Sequence, residues 1–222
     1  MFLGHYAVGL AAKRAAPRIS LGVLVAASQL IDLLWPFFLI AGLEGVRIDP
    51  GNTAATPLDF YHYPWTHSML MTLVWSGLAG AIVFAFRRRI AEALVIAGVV
   101  FSHWLLDLLS HRPDLPILPG GDAKVGLGLW RSLPATIGVE MLLFGFGAAI
   151  YLATTRPARL RGTVVLWALI GFLAVVYFAN LFGPPPPSED AIAWSALLLW
   201  LTPLWAWWAD RNRVVSSERK SS

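Results

Sequence analysis

Six apolar segments in this 222-residue chain are each long enough to cross about 30 Å of hydrocarbon at about 1.5 Å per residue, which restricts the fold to a membrane-embedded one. They run roughly 19–43, 66–86, 90–110, 132–154, 162–183 and 191–209. In lipid every backbone N–H and C=O must find its partner within the protein, so continuous apolar runs of this length read as helices. A shorter apolar stretch, Met1 to Ala12, cannot span and is expected to enter the bilayer partway as a half-helix. The expected fold is an all-α polytopic membrane helical bundle of about six transmembrane helices plus that half-helix. It forms a single integral-membrane domain over 1–222, with the motif-bearing part at 4–131 and C-terminal spans at 132–209. Pro184 to Pro187 read as a stiff external turn, not a linker between domains.

Charge sets the orientation. Only 14% of residues are charged, against about a quarter in soluble domains. The net charge of +4 forms no nucleic-acid face, because the basic residues sit in short clusters between apolar runs. One side takes Lys13, Arg14, Arg18, Arg87, Arg88, Arg89, Arg156, Arg159, Arg161, Arg211, Arg213, Arg219 and Lys220. The other takes Arg47, Arg112, Lys124 and Arg131, so 13 stand against 4 and the first side is read as cytoplasmic. Loops 44–65 and 111–131 and the turn at 184–190 then face outward, towards the periplasm in a bacterium. Trp65, Trp130, Trp205, Trp207 and Trp208 fall near span ends, as interfacial belts do. Lys13, Arg14 and Arg18 follow the first apolar stretch instead of preceding it, unlike the charges of a cleavable signal. Cysteine is absent, which excludes disulfides, thiolate catalysis and Cys-ligated metal.

The polar residues of the apolar part share a depth. His67 lies 20 residues from Arg87, and His103 and Asp107 lie 14 and 18 from Arg89, so helix rise lifts them about 20–30 Å above the basic clusters. Asp32, 14 residues above Arg18, stands at about 21 Å, and His5 joins them if the half-helix runs inward from outside. His62 and His111 belong to the outer loop edges. His103, Asp107 and His111 at i, i+4 and i+8 share one helix face if the helix persists. His62 and His67 flank a helix start in which Pro64 suits the first turn and Thr66 is a candidate cap.

Imidazole with carboxylate, and no sulfur, is a ligand set for Zn²⁺, with Mn²⁺ or Fe²⁺ as alternatives. An intramembrane aspartate is costly unless paired, and a metal ion is one effective partner. The expected ligands are His5, Asp32, His67, His103 and Asp107. His62 and His111 are expected as further ligands or proton-transfer groups, and Glu140, within the fourth span, as a group that orients water. Arg112, Lys124 and Arg131 in the outer loop are candidates to receive an anionic group such as phosphate.

Gly4-His5, the run Gln29-Leu30-Ile31-Asp32, the run from His62 to Ser68, and His103-Trp104-Leu105-Leu106-Asp107 resemble the ordered motifs of a bacterial inner-membrane metal-dependent hydrolase family. That family was formerly a domain of unknown function and includes a member described as LexA-binding. The resemblance covers roughly residues 4–131, with one aspartate, Asp32, where the family usually has two. The His-x-x-x-Asp element is also distantly similar to one in zinc-dependent phospholipase C enzymes. The resemblance implies a divalent metal, Zn above all, and metal-activated water attacking an ester or phosphodiester. Site depth and the outer-loop cations extend this to a lipid or lipid-linked substrate at the outer side of the plasma membrane. Two other readings stay open: a transporter with an intramembrane His/Asp site, and a non-catalytic membrane protein with a structural metal.

Overall fold

The computed structural model describes residues 1–216; Arg219 and Lys220, counted above among the cytoplasmic charges, lie outside the described residues. The architecture is all-α, with sheet among the described residues confined to three short antiparallel pairs. The chain opens with α1 (Leu3–Ala11), the broken pair α2 (Leu21–Ser28) and α3 (Leu30–Ile40), and the single turn α4 (Pro64–His67). Then come α5 (Met69–Arg87), α6 (Ile90–Ser110), α7 (Leu133–Thr154) and α8 (Leu160–Phe182). The last span, Glu189–Asp210, is built from α9 (Glu189–Ala196), a 3-10 turn and α10 (Leu201–Asp210). Among the described residues five helices are long and apolar enough to cross a membrane, or six if α2 and α3 count as one span.

The surface is apolar where a soluble protein would be polar. Phe86, Leu142, Phe146, Leu160 and Val175 are each at least two-thirds exposed along the spans, a pattern that only acyl chains solvate. Serine starts several elements: Ser20, Ser68, Ser132 and Ser188 accept from the amides of Val23, Met71, Ala135 and Ala191. α5 ends on Arg88 in the left-handed conformation, and α6 folds straight back along it.

Two spans differ from the sequence reading by more than a residue or two at their ends. The expected span 19–43 is bent by 56° between α2 and α3. α2 packs on α10 and α3 on α9, so both pieces run along the last span. The span expected from residue 66 begins at Met69, because Ser68 is extended and separates α4 from α5. Ser68, not Thr66, supplies the cap, while Pro64 does open α4. α6 matches the expected 90–110, but the helix does not persist to His111, which lies in extended backbone just beyond it.

α1 is the half-helix foreseen from sequence, and it lies at the centre of the bundle. Leu3, Tyr6 and Leu10 join Leu21 and Val25 of α2, Phe144 and Tyr151 of α7, and Leu166, Leu169 and Leu173 of α8 in one core. Backbone contact makes this possible: a Cβ on Gly147 would stand 2.4 Å from the Ala7 carbonyl oxygen, and one on Gly9 would stand 3.2 Å from Val25 Cα. At one end of the bundle, β1 (Gly45–Ile48) pairs with β2 (Leu58–His62), and β3 (Leu115–Pro116) with β4 (Lys124–Val125). They pack over Trp35, Tyr63 and Trp104, capping the ends of α3 and α6.

At the opposite end β5 (Thr155–Pro157) pairs with β6 (Arg213–Val215), and the described basic clusters gather there. Lys13 and Arg213 are not free topological charges. Lys13 is buried on Asp210 at 2.7 Å, and Arg213 is buried on Thr155.

Candidate metal centre

Four separate elements deliver the cluster at the hairpin-capped end. α1 carries His5, α3 carries Asp32, α4 carries His67, and α6 carries His103 and Asp107 one turn apart. His5 Nε2 lies 3.1 Å from Asp107 Oδ1, and His103 Nε2 lies 3.2 Å from Asp107 Oδ2. His103 Nε2 is also 3.6 Å from Asp32 Oδ1, which His67 Nε2 approaches to 3.4 Å. The five expected ligands therefore form two triads, His5–His103–Asp107 and Asp32–His67–His103, sharing His103. Within each triad the candidate donor atoms lie within 4.8 Å of one another. The His5 and His103 rings stack at 3.6 Å with 4° between planes. Asp32 is 27% exposed, whereas the other four are at most 5% exposed in their side chains.

The outer partners fix where the ring protons sit. His103 Nδ1 is 2.9 Å from the Ser28 carbonyl oxygen, which only accepts, so Nδ1 holds the proton. Ser28 is the last residue of α2, where carbonyls lack helical partners, so the break in the span is what frees this acceptor. The Thr66 hydroxyl donates to Glu44 Oε2 at 2.7 Å and therefore accepts from His67 Nδ1, also at 2.7 Å. His111 Nδ1 donates to Asp114 Oδ1 at 3.0 Å, and its Nε2 points to Asp107 at 4.0 Å. All three rings thus turn a lone pair, when neutral, towards carboxylate oxygens.

With the rings neutral, acceptors face acceptors, an arrangement that a cation between them would satisfy. His103 Nε2 is buried and makes no hydrogen bond among the described residues, although two carboxylates stand within 3.6 Å. Charge-assisted N–H···O bonds close to about 2.7–2.9 Å. Two ligands about 2.1 Å from one tetrahedral ion are instead separated by about 3.4 Å. The two contacts to Asp32, 3.4 and 3.6 Å, match the second geometry, while the two to Asp107, 3.1 and 3.2 Å, lie within hydrogen-bond range as well. The donor chemistry and the spacing both fit a divalent ion of the Zn²⁺ class.

The remaining expected residues sort by place. Glu140, 1% exposed, accepts from the amides of Phe2 at 2.9 Å and Gly4 at 3.3 Å, so it holds the start of α1 and with it His5. The main-chain nitrogen of Met1 lies 2.5 Å from Asp107 Oδ1. His62 stands apart from the cluster, exposed on β2. Arg112 is committed to Asp59 and Asp114 and is not a free anion receptor; Lys124 and Arg131 are exposed. Four supporting groups had not been singled out: Glu44, Tyr63, Asp114 and the Ser28 carbonyl. Of these only Asp114, three residues from His111, had a local sequence signal. Burial pushes the Asp114 carboxyl up, but hydrogen bonds from His111, Arg112 and Tyr63 outweigh it and hold it below the usual carboxylate range. Burial and the Asp114 carboxylate push the Tyr63 phenol well above its ordinary value.

No protein-family profile, curated protein or solved structure matches this chain.

Proposed function

We propose that this cluster is a divalent metal centre and that the protein is a membrane-embedded metal-dependent hydrolase, acting on an ester or phosphodiester, with a lipid or lipid-linked substrate. One observation carries the metal reading. Imidazoles from different helices, their Nδ1 protons committed outward, bring Nε2 onto two carboxylates at separations that suit ligands of one ion. The resemblance of the His5, Asp32, His67 and His103–Asp107 motifs to the bacterial inner-membrane hydrolase family supports the hydrolytic reading. A divalent ion held there would supply Lewis acidity, lowering the pKa of bound water from about 15.7 towards 7.

The chain's own groups provide the rest. Asp32, the one partly exposed ligand, marks the side from which substrate reaches the cluster. His111, oriented by Asp114 and 4.0 Å from Asp107, is placed to move a proton at Nε2. The cluster lies at the end of the bundle opposite the larger basic clusters, which under the positive-inside rule supports a site in the outward, periplasmic half of a plasma membrane.

A closed structural metal site is the rival reading, favoured by the burial of His5, His103 and Asp107. Elemental analysis of protein purified in detergent decides the first step. Wild type is expected to carry stoichiometric metal, and His103→Ala and Asp107→Ala to lose it. Equal metal in all three would end the reading. Incubation with total lipid extract, followed by mass spectrometry, then separates enzyme from scaffold. Chelator-sensitive loss of one lipid class is expected of the enzyme, and a metal-loaded protein that turns over no lipid class would leave the structural reading.

A further inference from the structure

Glu44 and Thr66 lie outside the ring of candidate ligands, yet their hydrogen bonds decide which nitrogen of His67 faces the cluster. α3 ends in a Schellman turn: the Gly42 amide bonds to the Leu39 carbonyl at 3.0 Å and the Leu43 amide to the Phe38 carbonyl at 2.9 Å. Gly42 takes the left-handed conformation, φ +69°, that this turn requires. The reversal brings Glu44 back against α4, where it is 6% exposed. There Oε1 accepts from the amides of Trp65 and Thr66, both at 2.8 Å, and Oε2 accepts from the Thr66 hydroxyl at 2.7 Å. Thr66 is fully buried, and its one hydroxyl proton is spent on Glu44. Its oxygen is then an acceptor, and the neighbour it accepts from is His67 Nδ1.

We propose that Glu44 is a positioning residue that, acting through Thr66, locks His67 in the Nδ1–H tautomer and so keeps a lone pair on Nε2 for the cation shared with Asp32 and His103. Its consequence for affinity rests on the metal reading given above; its consequence for the tautomer does not. The polarity of the chain of bonds makes the role specific. In Glu44→Gln the side-chain oxygen still accepts from the Trp65 and Thr66 amides, so the anchorage of α4 is kept. The new amide NH₂ now donates to the Thr66 oxygen. The threonine proton turns to His67 Nδ1, and the ring proton moves to Nε2, where it opposes ligation.

Two measurements on the full chain in detergent micelles test this. The first is the tautomer of His67 in chelator-treated protein, read from long-range ¹H–¹⁵N spectra of the imidazole with His67→Gln for assignment. Wild type and Thr66→Ser are expected to show Nδ1–H, and Glu44→Gln to show Nε2–H. The second is Zn²⁺ titration. Glu44→Gln is expected to bind about 10–100-fold more weakly, as loss of a carboxylate that orients a histidine does elsewhere, and Thr66→Ser to bind as wild type does. Nδ1–H with unchanged affinity in Glu44→Gln would overturn the proposal. Should wild type bind no Zn²⁺, the metal reading fails, and the tautomer still decides the role of Glu44. Should Glu44→Gln not fold, Thr66→Val replaces it, because it leaves both amide bonds to Glu44 in place. Retention of a single Nδ1–H tautomer in that variant would count against the proposal, and a mixed population would support it.

Discussion

His103 shows how much a single side chain determines. Its Nδ1 is held by the Ser28 carbonyl, its ring lies flat on His5, and its Nε2 belongs to both triads. A buried imidazole fixed on one side and unbonded on the other is the arrangement a metal ligand needs, since the outer bond sets the tautomer and stiffens the ring. His62, five residues before His67, has none of these features. His62→Ala is therefore expected to leave metal content and thermal midpoint near wild type, within the roughly ±0.5 kcal/mol scatter of surface substitutions. His103→Ala should abolish metal binding. Elemental analysis and a thermal melt on the pair check this, and metal loss from His62→Ala would show that β2 folds over the site in solution. The i, i+4 spacing made His103 and Asp107 legible as a pair. The carbonyl that orients His103 was not, because it comes from a helix 75 residues away.

At the scale of elements, α1 is the piece whose seating matters most. Nine residues of helix cannot span, and isolated helices of this length are marginal even in favourable sequences, so packing must hold it. Glu140 receives its first amides, Gly9 and Gly147 admit its backbone between α2 and α7, and Lys13 just past its end meets Asp210 of α10. Asp210 also accepts from the Leu21 amide at 3.0 Å and the Tyr151 hydroxyl at 2.7 Å, so one carboxylate joins four parts of the bundle. Removing one partner of a buried ion pair leaves an uncompensated charge and costs about 3–5 kcal/mol. Asp210→Ala is expected to lose an amount in that range in reversible unfolding in mixed micelles. The double variant Lys13→Met/Asp210→Leu should recover a large part of it. A loss below about 1 kcal/mol in the single variant would mean that water reaches Lys13. Sequence placed Lys13 among the topological charges, because burial of a lysine depends on a partner 197 positions away.

For the whole molecule, the decisive relation is between two ends. Hairpins and the His/Asp cluster occupy one, and the basic clusters with β5–β6 occupy the other. With no native cysteine in the chain, single introduced thiols report topology without background. In intact cells, His62→Cys on β2 should react with a membrane-impermeant maleimide. Ala158→Cys, exposed beside β5, should react only after permeabilisation. The reverse pattern would place the cluster in the cytoplasmic half and remove the case for an outer-leaflet substrate.

The sequence was enough for the class of fold, the approximate bounds of the long spans and the polar residues that gather at one end of the bundle. The reason is that hydrocarbon thickness sets segment length, and burying charge in lipid is costly enough to make each intramembrane His, Asp or Glu conspicuous. Only the folded molecule shows that the chain bends at the polar pair Ser28-Gln29 and turns the Ser28 carbonyl towards His103, since two polar residues in an apolar run do not by themselves break a helix. The tertiary structure also decided which polar groups meet. Glu44 and Asp114 sit in loops whose paths depend on packing over Trp35 and Trp104, and their hydrogen bonds form only once distant segments have been brought together.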